Sequence, residues 1–239
     1  MILLALDLET TGLSITDDRP IEIGMVLHST GQNRTLEATS FLIKSEVPVS
    51  DEVTKITGIT QAAVNKFGYD SESGLQTVQE WFENADAIIG HNVIRFDKRM
   101  LDAWVKRHSE SYPDKLWIDT MTDIPGVTGE KLGYMAANHG FLNLFPHGAL
   151  ADCQTVLKLA SMYNIDEIAK RASIPTIVIL SHQDRNHNQD AKQQKFRWNP
   201  DRKIWWRAVK ETDVEELAKV CPFDISIADK SIDLEQLWG

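Results

Sequence analysis

The chain has 239 residues, 42% hydrophobic and 25% charged, which are ordinary globular values and enough for one large domain or a domain with a small appendage. Its net charge of −10 gives no bulk attraction to polyanions, so nucleic-acid binding would need bound metal or a local basic patch. No stretch approaches the roughly 18 apolar residues of a membrane span, the start Met1-Ile2-Leu3-Leu4 lacks the basic region of a signal peptide, and Cys153 and Cys221 match no zinc spacing. The expectation is a cytoplasmic protein with no membrane partner, in which Cys153 is a buried free thiol.

Met1 to Asp7 is a short apolar run that predicts a first strand. Pro20 to His28 alternates Ile21, Ile23, Met25 and Leu27 with other residues and predicts a second. Leu36 to Lys44 reads as a third, joined to the second by the turn Ser29-Thr30-Gly31-Gln32-Asn33. Gly74 to Asn84 predicts a helix with Leu75, Val78, Trp81 and Phe82 on one face. Asp86 to Gly90 reads as a short buried strand running into Gly90-His91-Asn92, and Val93 to His108 as a second amphipathic helix. Leu116 to Asp119 is the fifth strand; Leu132 to His139 and Leu150 to Tyr163 are further helices. Strands followed by alternating helices and strands argue for an α/β layer fold. Composition shifts after about Arg171. An apolar run (Thr176 to Leu180) precedes a polar stretch (Ser181 to Gln194). A hairpin about Asn199-Pro200-Asp201 follows, with Phe196 and Trp198 on one face and basic residues on the other, then a helix from Glu211 to Val220. A boundary falls near Ile174, and no internal repeat is present.

Asp7 and Glu9 close the first strand at spacing i, i+2, so both carboxylates leave the same face. Two such charges repel, and burying them is costly unless a cation neutralises them. A hard divalent ion such as Mg²⁺, which prefers oxygen ligands, is the natural solution. Alone, the pair fits a solvated strand end before a glycine turn equally well. Asp97 lies about one turn into the helix after the fourth strand. Strand ends and helix starts converge at one edge of an α/β sheet, which could bring it toward Asp7; alone it is ordinary helix-dipole chemistry. His147 and Asp152 straddle a helix start five residues apart, with the histidine in the loop and the acid on the first turns. A lone histidine there is a cap or surface residue; the conjunction of all five residues is more specific.

Taken together, these segments resemble the DnaQ-like (DEDDh) 3′–5′ exonucleases of the RNase H-like superfamily. The first motif is Asp7-Leu8-Glu9-Thr10-Thr11-Gly12, the second His91-Asn92-Val93-Ile94-Arg95-Phe96-Asp97 and the third His147-Gly148-Ala149-Leu150-Ala151-Asp152. Ile56-Thr57-Gly58-Ile59-Thr60 resembles a further family stretch. The resemblance covers roughly residues 1–165, keeps the family order and departs from it at no catalytic position. It implies an RNase H-like mixed five-stranded sheet flanked by helices, assigned to residues 1–173. It also implies metal-dependent hydrolysis from a 3′ end, releasing nucleoside 5′-monophosphates with two Mg²⁺ (or Mn²⁺) ions. Asp7 would bridge the ions, Glu9 and Asp152 would complete the first site, and Asp97 would hold the second mainly through water. His147 would be the general base. Without metal the four acids should repel one another and hold raised pKa values. Thr10, Thr11, Gly12 and Leu13, with His91 and Asn92, would contact the terminal nucleotide, Leu13 wedging against its base. The alternatives are a plain turn at 10–12, with Gly12 supplying a positive φ, and simple ordering of the loop by His91 and Asn92. Asp119 is expected to play a supporting role. Single-stranded DNA is the favoured substrate. The alternatives are an exoribonuclease or oligoribonuclease-like activity on RNA, and a non-catalytic replication accessory protein. Bacterial or phage origin fits; no polymerase or other protein partner is identified by the sequence.

Between His182 and Lys210, eight basic residues face three acidic ones, a net of +5, and Trp198, Trp205 and Trp206 lie among them. Cations interleaved with aromatics suit single-stranded nucleic acid, with Lys195, Arg197, Trp198, Trp205 and Arg207 as candidate contacts. Alternatively the tryptophans form the core of a small α+β module over residues 174–239, with the cations as its solvated face. Both hold if one aromatic stays exposed.

Overall fold

The first strand, β1 (Ile2–Thr10), is buried on both sides because its even and odd residues enter different cores. Leu4, Leu6 and Leu8 face one, Leu3 and Ala5 the other. β2 (Pro20–Ser29) pairs antiparallel with β1, and β3 (Arg34–Leu42) antiparallel with β2. Two short helices follow, α1 (Asp51–Thr57) and α2 (Gln61–Phe67), then α3 (Ser71–Glu83), β4 (Ala87–Gly90), α4 (Asp97–Arg107) and β5 (Leu116–Asp119). α5 (Leu132–Asn138), α6 (Ala149–Ala160) and α7 (Ile165–Ala172) complete the first part. The sheet is mixed and five-stranded, in the order β3-β2-β1-β4-β5, with β1, β4 and β5 parallel. This is the RNase H-like arrangement expected from the sequence.

Helices cover both faces of the sheet. Leu75, Val78 and Phe82 of α3, at helical spacing, join Met100, Leu101 and Trp104 of α4 in the core with Leu4 and Leu6. Met135 of α5, Cys153 and Val156 of α6 and Ile168 of α7 close the other face over Leu3, Ala5 and Val26. Asp7 and Glu9 are odd residues of β1, so they continue the row that runs under α6.

The computed structural model describes residues 1–125, 129–229, 232, 234 and 237. The chain divides into two compact units, Met1–Ala172 and Ser173–Gly239. The second unit runs β6 (Thr176–His182), α8 (Asn188–Gln193), β7 (Arg197–Asn199), β8 (Ile204–Lys210), α9 (Val214–Val220) and β9 (Asp224–Ile227), and its strands form an antiparallel sheet in the order β7-β8-β6-β9. Ile179, Ala191, Phe196 and Val209 fill one face; Val178, Trp206 and Leu237 fill the other. Residues 230, 231, 233, 235, 236, 238 and 239 of the expected 174–239 module lie outside the described residues.

Two sequence-based expectations change. β1 runs on through Glu9 to Thr10 because β2 continues to pair with it, with a bulge between Glu9 and Thr10. α4 begins at Asp97 rather than Val93, because the Asp119 carboxylate takes the Asn92 and Ile94 amides and holds that segment as a turn. Arg197 pairs with Trp206 and Trp198 with Trp205, so Trp198 shares its face with Trp205.

Candidate active site

The parallel strands β1 and β4 end at the same edge of the sheet, and the loop after β4 returns Asp97 to β1. Asp97 stands first in α4 and is 4% exposed. Its Oδ1 accepts the backbone N–H of Leu8 at 2.9 Å, which fixes it between Asp7 and Glu9 along the chain. From the other side α6 crosses β2 at Gly24, the cross-strand partner of Asp7, where the Cys153 thiol donates to the Gly24 carbonyl at 3.2 Å. One residue earlier in α6, Asp152 meets the pair on β1. Asp7, Glu9 and Asp152 each place a carboxylate oxygen within 4.8 Å of the other two.

This concentration of acids is visible in their ionisation. Burial, then Asp97, Asp152, Glu9 and Glu22, push Asp7 well above the usual carboxylate range. Burial, Asp152 and Glu22 push Glu9 up to about 8. Asp97 is raised chiefly by burial, against the opposing pull of the Leu8 amide. Asp152 is raised by burial, although hydrogen bonds from Asn143 and His147 oppose the shift. A set of oxygen donors, half-buried at Asp7, Glu9 and Asp152 and buried at Asp97, with unbalanced negative charge fits a hard divalent cation such as Mg²⁺ or Mn²⁺.

His147 is exposed and sits at φ +63°, in the left-handed region where a non-glycine residue is strained. Its amide donates to Asp152 Oδ2 at 3.2 Å, and among the described residues its ring makes no hydrogen bond. The other Asp152 oxygen accepts from the Asn143 side chain. Glu22, absent from the sequence-derived site, is the cross-strand partner of Glu9. Its carboxylate accepts the Ser40 hydroxyl at 2.6 Å and the Ala149 amide at the start of α6 at 3.2 Å. A single acid between Ile21 and Ile23 was its only signal, and the hairpin register was needed to place it.

Other expected contacts divide. The Thr10 hydroxyl donates to the Gly12 carbonyl at 2.5 Å, and the Thr11 hydroxyl to Asp18 Oδ1 at 2.8 Å while accepting the Arg19 amide. Both side chains thus shape the loop. Gly12 does not adopt a positive φ; the Asp18 carboxylate packs where a Cβ would be, so any larger residue would have to displace it. Leu13 is 83% exposed beside this loop. His91 has both ring nitrogens engaged, with the Thr120 hydroxyl and the Glu130 carbonyl, each at 2.9 Å, so it orders the loop. Asn92, at φ +59°, gives its amide to Asp119. Asp119 also accepts the Met121 amide, and burial raises its pKa to about 6.

The sequence model of the family described as Exonuclease matches residues 4–160, a span that contains all five site residues. The chain belongs to the exonuclease family. The chain is 30% identical over 162 residues to a PolC-type DNA polymerase III from Pediococcus pentosaceus, which is 66% of this chain and 11% of that protein. It is 36% identical over 119 residues to the PolC-type polymerase of Thermotoga petrophila, which is 49% of this chain and 8% of that protein. The chain therefore spans about a tenth of the length of the curated relatives it matches. Among solved structures, E. coli exonuclease I in complex with a dT13 oligonucleotide aligns with a TM-score of 0.59 at 16% identity, covering 76% of this chain and 48% of that one. The nuclease domain of 3′hExo, a DEDDh family member bound to rAMP, aligns at 0.58 and 19% identity, covering 67% and 90%. At these identities the likeness is one of fold. No helix among the described residues is long and apolar enough to cross a membrane.

Proposed function

We propose that this exonuclease removes nucleotides from the 3′ end of single-stranded DNA as nucleoside 5′-monophosphates, using two divalent ions. The observation that carries the proposal is the convergence of Asp7, Glu9 and Asp152 within 4.8 Å, with Asp97 anchored to the next backbone amide. When bound, Mg²⁺ or Mn²⁺ would lower the pKa of water and stabilise charge on the attacking and leaving oxygens. Asp7, Glu9 and Asp152 would hold one ion, with Asp7 and Asp97 serving the other. His147 would take the proton of the attacking water; an imidazole is suited to that near neutrality. Its exposed ring, unengaged by the described residues, is available for the role. Leu13 and the backbone of Thr10 to Gly12 would meet the terminal nucleotide.

DNA is favoured by the PolC-type DNA polymerase relatives and by the dT13 complex of exonuclease I. RNA is the second reading, favoured by the rAMP complex of 3′hExo. Both are tested by incubating the protein with DNA and RNA oligonucleotides labelled at either end, with Mg²⁺ or excess EDTA. Mg²⁺-dependent release of labelled mononucleotide from 3′-labelled DNA, with a ladder from the 5′-labelled strand, supports the proposal. Immediate mononucleotide release from the 5′ label, or activity that persists in EDTA, refutes it.

A further inference from the structure

In the second unit, Trp206 is core, but Trp198 is 47% exposed and stands beside Trp205 with ring centroids 5.6 Å apart. The pair borders a groove of about 900 Å³, ample for a nucleotide. Lys192 of α8 and Lys203 of the β7–β8 turn line it, both exposed. Ser181 and Gln183 line it as well, and Ser181 Oγ and Gln183 Oε1 are buried with no hydrogen-bond partner.

Two properties therefore coincide in one groove: an open aromatic face and two exposed cations. The segment from His182 to Lys210 carries net +5 in a chain of net −10, so the charge that complements a polyanion is concentrated here. We infer that this groove is a second nucleic-acid site, separate from the carboxylate centre, which seats a single-stranded segment. One base stacks on Trp198, and the flanking phosphates lie on Lys192 and Lys203. Stacking is tolerant of sequence because every base has a π face.

The geometry replaces part of the contact set read from the sequence. Arg207 is half-buried and donates to the Gln194 carbonyl at 2.8 Å, so its guanidinium is occupied within the unit. Arg197 alternates with Trp198 along β7 and leaves the opposite face.

The test uses the full chain in EDTA, so that binding is read without hydrolysis and independently of the proposed nuclease chemistry. Fluorescence anisotropy follows a 5′-labelled 15-nucleotide dA strand and its rA counterpart. Trp198→Ala is expected to weaken binding on the order of ten-fold, with Trp198→Phe restoring most of it. Lys203→Glu, on an exposed turn, is expected to weaken binding and to flatten the slope of log affinity against log salt by roughly 0.7 for each phosphate deprived of its cation. Tighter binding of the DNA or of the RNA strand then identifies the sugar. Wild-type affinity in both Trp198→Ala and Lys203→Glu, or equal losses in Trp198→Ala and Trp198→Phe, would overturn the inference.

Discussion

Gly24 is the cross-strand partner of Asp7, and a Cβ on Gly24 would fall inside 3.0 Å of the Ala149 carbonyl group and the Leu150 nitrogen. The absence of one methyl group therefore sets how closely α6 approaches β2, and with it the reach of Asp152 toward Asp7. Gly24→Ala is expected to destabilise the fold by about 1–3 kcal/mol, the usual range for overpacking. It should also lower kcat about 10²-fold through displacement of α6. Denaturant melts and single-turnover rates measure the two effects; an unchanged rate would show that α6 does not depend on this contact.

The raised carboxylates make stability depend on pH. Asp7, Glu9 and Asp97 titrate higher in the folded than in the unfolded chain, so the folded state binds more protons between the two values. Without metal, their contribution to stability should be greatest below about pH 4 and be lost as the pH rises toward about 8, where Glu9 titrates. Mg²⁺, which needs deprotonated ligands, should reverse the trend. Melting temperature from pH 4.5 to 9, taken as wild type minus Asp7→Asn, isolates these groups. A difference that rises with pH in EDTA would contradict the assignment.

Asp7→Asn removes the acid that the other four carboxylates burden most. In EDTA the variant should melt higher than wild type at pH 8, because one repelling charge is gone. Mg²⁺ should then add little to its melting temperature. Its activity should fall about 10³-fold or more, the loss that several kcal/mol of transition-state stabilisation implies. Activity within ten-fold of wild type would remove Asp7 from the metal centre.

His147→Ala should lower the rate on the order of 10²–10⁴-fold, the scale of a lost general base. Glycine is the more revealing replacement, since φ +63° suits it and the vacated space could admit a free base. Imidazole added to His147→Gly should restore part of the rate as its neutral form accumulates with pH. No rescue, together with a near-wild-type rate in the alanine variant, would exclude the histidine as base.

Glu22 acts on Glu9 through charge and on α6 through a hydrogen bond, and two substitutions separate these. Glu22→Gln keeps an acceptor for the Ala149 amide but drops the charge, so Glu9 should titrate lower and the acid limb of the pH–rate profile should move down. Glu22→Ala also removes the acceptor and should cost about 0.5–2 kcal/mol, as a lost helix cap does. Identical pH profiles in wild type and Glu22→Gln would mean that Glu22 does not influence the site.

The five candidate site residues stand out in the sequence because each sits in a short segment whose spacing reflects a local geometry: i, i+2 on a strand, the first turn of a helix, or the loop just before one. Asp119 could be assigned only a supporting role, since its work lies in amides 25 to 27 residues away. Glu22 and Asn143 were missed because their partners, Ala149 and Asp152, are fixed by packing of α6. α1 and α2, at seven residues each, are too short to display a helical period. Their N-caps, Ser50 and Thr60, were the available signal. The tryptophans of the second unit could be sorted only by packing: Trp206 lies in the core, whereas Trp198, near the end of the short β7, is left exposed.

Cys153 has no exposed surface, its thiol is bonded to the Gly24 carbonyl beneath α6, and burial holds its pKa well above the usual thiol value. A reagent that needs an accessible thiolate can therefore reach it only when α6 lifts from β2. The rate of alkylation at this one sulfur becomes a clock for opening of the face that carries the carboxylates, and ligands that bind there should slow it. Cys221, the free thiol of the second unit, is half-buried and keeps separate time. One labelling experiment followed by mass spectrometry would thus time the lifting of α6 against a more accessible thiol in the same molecule.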